Sequence, residues 1–331
     1  MPTWVIVLLS RSVALVAISN GLGHLRRQLA FYKHLISQGY DVTVFCHLDD
    51  LEKLSVFNVK AEQLKIRVSD LPSLVKNRFF EDLSTTLNKF DIVVSDNCVD
   101  VLRSRQDAIL FASFFWHRAI SMPDWYGQDS EALIESCNPI IIANRLFVAD
   151  YLQHYGNLHL VGFFGKQRIK AHHKADDLLL SFGFSNELNS YFVDIVDYVT
   201  EFCMKEGRKL WLEPRYFNHI NVKCSFIVEA SYTDEMYKSI DMGIVRPGIG
   251  TLTNLIGVRS KIVCVHEENN KEMLSNSRRI VDNRFGINAP NIDVLAELLK
   301  SPNFVPRIKL KRAQDEFDGE IKSFKVIEAI G

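Results

Sequence analysis

The sequence predicts two doubly wound parallel-sheet α/β domains that face each other across a cleft, and three observations carry that expectation. The stretch Ile18-Ser-Asn-Gly-Leu-Gly-His-Leu-Arg-Arg27 ends an apolar strand, turns on glycines and opens a helix. A second turn of the same construction, Arg246-Pro-Gly-Ile-Gly-Thr251, follows more than two hundred residues later. Around both turns, apolar strand-like runs alternate with segments long enough for crossover helices, which is the pattern of a parallel sheet. At 331 residues and 47% hydrophobic, the chain is long enough for two cores.

Element by element, Ser12 to Ile18 is a near-continuous apolar run, as a strand buried on both faces requires. Leu25 to Gln38 follows with helical spacing at Leu25, Leu29, Tyr32, Leu35 and Ile36, and Gly39 stops it. Further strands are expected at Tyr40 to Cys46, Phe90 to Ser95, Ala108 to Ala112, Pro139 to Ala143 and Leu158 to Gly162. The polar, basic stretch Gly165 to Lys174 reads as a linker. A second alternating series starts with Asp177 to Ser181 and a helix from about Glu187 to Lys205. Strands at Lys209 to Leu212, Ser225 to Val228, Asp241 to Val245 and Lys261 to Val265 continue it. Asp293 to Lys300 and Ala313 to Ile330 read as helices, the last with apolar Phe317, Ile321, Phe324 and Ile327. The expected division is an amino-terminal domain over 1–163, a linker over 164–176, a carboxy-terminal domain over 177–312 and a final helix over 313–331.

Composition removes several function classes. A net charge of −1 argues against a nucleic-acid binder, which would show a marked basic excess. The strongest local excess, Arg307-Ile-Lys-Leu-Lys-Arg312, reads as a solvated surface, with contact to an anionic membrane face as the alternative. Cys46, Cys98, Cys137, Cys203, Cys224 and Cys264 are scattered without a Cys-x-x-Cys pair, which fits reduced thiols in a cytoplasmic protein. The run Trp4 to Ile18 is broken by Arg11 and falls short of the roughly 20 apolar residues of a membrane span. No His/Cys/Asp cluster has metal-ligand spacing, so no metal site is expected. Gly21-Leu-Gly-His24 lacks the third glycine of a dinucleotide fingerprint, so no cofactor is expected either.

The chemistry concentrates at the carboxyl ends of the strands. The second turn exposes backbone N–H groups and the positive end of a helix expected to start near Leu252, which together suit a phosphate. Gly248, Ile249 and Gly250 let the backbone approach, Thr251 adds a hydroxyl, and Arg246 adds a positive charge for a leaving diphosphate. Ser181 and Gly183, within Ser181-Phe-Gly-Phe-Ser185, end another strand and are candidates to hold phosphate or base. Glu213 and Arg215 end the next in the same way.

In the first turn, His24 stands where a helix start keeps an imidazole neutral and able to take a proton from a hydroxyl, which makes it the candidate general base. The loop His266-Glu-Glu-Asn-Asn-Lys-Glu272 is dense in groups that bond sugar hydroxyls, making Glu267, Glu268, Asn269, Asn270 and Glu272 the donor-sugar candidates. Asn20, Gly21, Gly23, Arg27, Asp96, Trp116 and His117 form the acceptor-side set, beside Arg26 and Asn97.

On these residues the chain resembles the GT-B superfamily of nucleotide-sugar glycosyltransferases, most nearly its MurG branch. The resemblance rests on Gly21-Leu-Gly-His24 and on the run Asp241-Met-Gly-Ile-Val-Arg-Pro-Gly-Ile-Gly-Thr-Leu-Thr-Asn254, followed by Glu272 and Asn276 in a sugar-contacting helix start. It implies two Rossmann-like domains, with the acceptor site in the first and the donor site in the second. It also implies a final helix that crosses back, and metal-independent transfer, commonly inverting, to a hydroxyl of a glycan or lipid-linked acceptor. Where the family often carries a ribose-binding glutamate, this chain has Asn254, which weakens the expectation of uridine. The first turn is also similar to the Gly-x-Gly-His-x-x-Arg of UDP-sugar hydrolases of pseudaminic acid synthesis, with Arg27 in the matching place. A nucleotide-sugar hydrolase or epimerase is therefore the second expectation, and a catalytically silent nucleotide-sugar-binding partner the third.

Overall fold

A computed structural model of the chain describes residues 10–17, 22–46, 66–68, 85–119, 124–165, 176–183, 189–220, 224–307, 309 and 316–330. In chain order the first half contains β1 (Ser12–Ala17), α1 (Leu22–Ser37), β2 (Asp41–Cys46), β3 (Ile66–Val68), β4 (Ile92–Asp96), β5 (Ile109–Phe111), α2 (Trp116–Ala119), α3 (Asp124–Cys137), β6 (Ile141–Asn144) and β7 (Leu158–Val161). The second half contains β8 (Asp177–Ser181), α4 (Ser190–Glu206), β9 (Leu210–Leu212), α5 (Pro214–His219), β10 (Ile227–Glu229), α6 (Asp234–Ser239), β11 (Ile240–Val245) and α7 (Ile249–Val258). It continues with β12 (Lys261–Cys264), α8 (Lys271–Asp282), β13 (Ile287–Asn288), α9 (Ile292–Lys300) and α10 (Gly319–Ile330).

Two parallel sheets result, a seven-stranded one in the order β3-β2-β1-β4-β5-β6-β7 and a six-stranded one in the order β10-β9-β8-β11-β12-β13. Each is buried on both faces, so its strands carry apolar side chains at successive positions. Along β1, Val13, Leu15 and Ala17 enter one core with Leu25, Leu29, Phe31 and Leu35 of α1, while Ala14 and Val16 enter the other. The order of strands reverses between β1 and β4 in the first sheet, and between β8 and β11 in the second. At such a reversal the following connections leave on opposite faces, and a crevice opens at the carboxyl ends of the strands. The helix starts of α1 and α7 stand at these two crevices.

Several boundaries move from the sequence expectation. The helix after the second turn begins at Ile249 and not near Leu252, with Gly248 as its N-cap. The last helix starts at Gly319, not Ala313, because Glu316 to Asp318 are taken up in a crossing. Residues 316–319 run back beside the end of β7: the Gly319 amide donates to Phe163 O (3.1 Å), and the Gly162 amide donates to Asp318 Oδ1 (2.7 Å). Arg145 donates to Asp318 Oδ2 at 2.6 Å from the same side. An ideal Cβ on Gly162 would stand 2.2 Å from Glu316 O, so only glycine permits this approach. From there α10 lies against the first domain, with Ile327 fully buried in the α1 core and Phe324 packed on it. The short edge strands β3 and β13 and the helix α3 have no clear periodic signal in the sequence. Most of the expected linker, together with Asn20, Gly21 and Ser185, lies outside the described residues.

Candidate active site between the domains

The site begins with one buried carboxylate. Asp96 ends β4, the neighbour of β1, so it stands beside the first turn of α1 although seventy-two positions separate it from His24. It has no exposed surface. His24 Nδ1 lies 2.7 Å from Asp96 Oδ1, and Arg27 Nε donates to Oδ2 at 2.6 Å while its Nη2 bonds Oδ1. Residues 24 and 27 lie one turn apart on a helix, which lets both reach the same carboxyl. Burial pushes the Asp96 carboxyl up, but the charge of Arg27 and the hydrogen bonds from Arg27 and His24 outweigh it and hold the group below its ordinary value. An ionised Asp96 assigns the ring proton to Nδ1 and leaves Nε2 as the acceptor. Trp116 packs against the imidazole in an edge-to-face arrangement, with ring centroids 5.9 Å apart.

The opposite wall is the start of α7. The first intrahelical bond runs from the Leu252 amide to Gly248 O (3.1 Å), so the amides of Ile249, Gly250 and Thr251 precede the ladder and point outward at the positive end of the helix. Arg246 stands just before them, its Nε donating to Glu267 Oε2 at 3.0 Å. The two glycine turns touch: a Cβ built on Gly250 would stand 3.8 Å from Gly23 Cα. Asn276 Nδ2 donates to Pro247 O (3.0 Å) and so fixes the turn to α8. Glu272, in the first turn of α8, is half-buried in this same space. Desolvation pushes its carboxyl above the ordinary value against the pull of the Arg246 and Arg27 guanidinium groups.

No protein-family model matches the chain, and no curated protein does. Among solved structures it is similar to spinosyn forosaminyltransferase SpnP, at 12% identity over 97% of this chain and 99% of that one, with a TM-score of 0.62. UGT89C1 of Arabidopsis thaliana complexed with UDP follows the same course at 13% identity, 97% and 94% coverage and a TM-score of 0.61. VinC in complex with dTDP does so at 14% identity, 97% and 98% coverage and a TM-score of 0.60. The fold is that of the GT-B glycosyltransferases.

Within the GT-B frame the candidate residues divide. His24, Gly23, Arg27 and Trp116 from the first domain gather around one cleft with Arg246, Gly248, Ile249, Gly250, Thr251, Glu267 and Glu272 from the second. Asp96, expected on the acceptor side, has no exposed surface, and its carboxylate is taken up by His24 and Arg27. His117 does not join the site. Its side chain is 3% exposed, stacks on Phe115 and bonds Glu131 Oε1 at 2.8 Å, inside an ion-pair network with Arg118 and Tyr155.

Ser181 and Gly183 are also turned from the expected role. The amides of Phe182 and Gly183 already donate to Glu213 Oε2, at 2.8 and 3.0 Å, so a carboxylate of the chain fills the nest that a phosphate would use. Arg215 closes it by donating to Glu213 Oε1 (2.7 Å) and Gly183 O (2.8 Å), and Ser181 is buried against Tyr232. Asn270 is the N-cap of α8, accepting from the Met273 amide at 3.1 Å, while Glu268 and Asn269 are exposed turn residues. Asn254 is 4% exposed and engaged on both sides, donating to Tyr237 Oη (3.0 Å) and accepting from Arg26 Nη2 (2.8 Å). Sequence reasoning had no signal for that bridge, or for the Asp96–His24 pair, because both depend on which strands become neighbours. Among the described residues, no group of three or more His, Cys, Asp and Glu could hold a metal ion, and no helix is long and apolar enough to cross a membrane.

Proposed function

We propose that this chain is a glycosyltransferase that moves a sugar from a nucleotide-diphosphate sugar to a hydroxyl acceptor, with His24 as general base. The observation that supports it most is the meeting of an oriented imidazole with a phosphate-binding helix start, Gly23 against Gly250, in one interdomain cleft. Nε2 of His24 takes the proton of the acceptor hydroxyl while that oxygen bonds the anomeric carbon. The bond from this carbon to the diphosphate oxygen breaks, and its electrons leave with the diphosphate. The amides of Ile249 to Thr251, the dipole of α7 and the Arg246 guanidinium stabilise the charge that develops there. Attack and departure on opposite faces of the sugar give inversion, and these fixed charges do the work without a metal ion. Glu267 and Glu272 orient the sugar hydroxyls.

The named ligands of the similar structures, UDP and dTDP, support a pyrimidine nucleotide donor. A MurG-like assignment adds a cell-envelope glycan or lipid-linked acceptor and a cytoplasmic enzyme. The basic run from Arg307 is then its contact with the inner membrane face. Incubation with a panel of UDP- and dTDP-sugars tests the reading: product forms only when a hydroxyl acceptor is added. Free sugar released from donor alone makes the chain a hydrolase, and no conversion with intact nucleotide binding makes it a silent partner.

A further inference from the structure

We propose that Arg26 and Asn254 form a latch across the cleft that seats the base-bearing helix on the donor helix, so that both are positioning residues and Asn254 is not a ribose ligand. The consequence for turnover rests on the function proposed above. Asn254 is buried, and its amide orientation is set by Tyr237, itself 1% exposed: Nδ2 donates to the phenol oxygen, which turns Oδ1 toward the first domain. Arg26 Nη2 donates to that oxygen at 2.8 Å. At 4% exposure, with a partner already on each amide atom, the side chain offers a ribose hydroxyl little access.

Arg26 follows His24 by two positions on α1, so at about 100° per residue the two side chains leave the helix on different sides. His24 turns inward to Asp96 of its own domain, while Arg26 reaches the other domain. A bond from Arg26 to α7 therefore fixes the rotation and depth of α1 against the phosphate-binding turn, and with them the span from the imidazole to the donor. The bare approach of Gly23 to Gly250 gives the latch its seat, and Arg279, donating to Val148 O at 3.0 Å, ties the domains at a second place.

The test compares Arg26→Ala, Asn254→Ala, their double variant and Asn254→Asp with the natural chain. Three readings are taken: kcat and KM, calorimetric affinity for UDP and 2′-deoxy-UDP, and the radius of gyration in solution without ligand. The latch predicts that each alanine variant lowers kcat about 10–100-fold, as small misplacements of a base do. The double variant falls no further than either single one. UDP and 2′-deoxy-UDP bind Asn254→Ala within about twofold of the natural chain, both alanine variants gain in radius of gyration, and Asn254→Asp keeps kcat because its carboxylate accepts from both partners. A tenfold loss of UDP affinity in Asn254→Ala that Arg26→Ala does not share would make Asn254 a ribose ligand and overturn the latch. So would unchanged kcat in both single variants, or losses that simply multiply in the double one. If the natural chain binds no nucleotide, the proposed function fails by itself, and the latch then stands or falls on whether the alanine variants expand.

Discussion

A histidine at the start of a helix is only a weak base until something fixes its ring. In this chain Asp96 does so from inside the first domain, and Arg27 keeps Asp96 ionised. His24→Ala is expected to lower kcat by about 10²–10⁴-fold with nucleotide affinity nearly unchanged, checked by steady-state kinetics beside calorimetry. Asp96→Asn is expected to lose a comparable factor, and to destabilise the fold because the Arg27 guanidinium loses its buried counter-charge. The sign of the pH effect follows from the lowered carboxyl: folded Asp96 binds its proton more weakly than the unfolded chain does, so its contribution is fully present above the ordinary value of 3.8 and is lost as pH falls below that value through the lower folded one. Melting curves of the natural chain and Asp96→Asn should therefore converge in acid. Glu272 carries the opposite sign. Its carboxyl is raised from 4.5, so the folded state is disfavoured once pH rises through that value, and Glu272→Gln should raise the melting temperature at pH 7 but not below pH 4.5. A lower melting temperature for Glu272→Gln at neutral pH would remove Glu272 from the desolvated cleft.

Among the elements, the decisive ones are those whose ends meet something. The start of α7 leaves the amides of Ile249 to Thr251 outside the helical ladder, and α8 holds that turn in place through Asn276. The crossing at Gly162 carries the final helix back to the first domain, and it leaves no room for a side chain. Gly162→Ala should cost about 1–3 kcal/mol, the usual penalty of forcing an added methyl into filled space, and should lower the melting temperature measurably. An unchanged melting temperature would mean that residues 316–319 do not pack on β7 as described.

At the scale of the whole molecule, the two domains meet through an apolar seam, where Leu146, Phe147 and Phe163 of the first pack into a core of the second, and through polar contacts, Arg26 to Asn254 and Arg279 to Val148 O among them. A ligand that binds only the folded state, between the domains, adds to its stability. UDP or dTDP at 100 times its Kd should stabilise the folded state by about 2.7 kcal/mol, read as a rise in melting temperature. Excess EDTA should leave turnover within about twofold if, as proposed, the helix amides and Arg246 carry the charge of the leaving group. A loss of turnover restored by a divalent cation would require a metal in the reaction.

What the sequence determined by itself is local. Apolar runs without alternation required strands buried on both faces, and glycine turns after them required helix starts open to an anion. These patterns placed most strands within a few residues, and His24, Gly250 and Glu272 stand in the first turns of α1, α7 and α8. Short edge strands such as β13 escaped because two residues carry no period. Tertiary structure decided which strand ends became neighbours. Only the order β1-β4 brings Asp96 under His24, only the packing of α1 on α7 gives Arg26 its partner in Asn254, and only the fold of 181–183 fills the expected phosphate nest with Glu213. Periodicity reports which face of an element is buried, whereas a hydrogen bond between residues seventy or more positions apart depends on how whole elements stack, and one chain's letters carry no local trace of that.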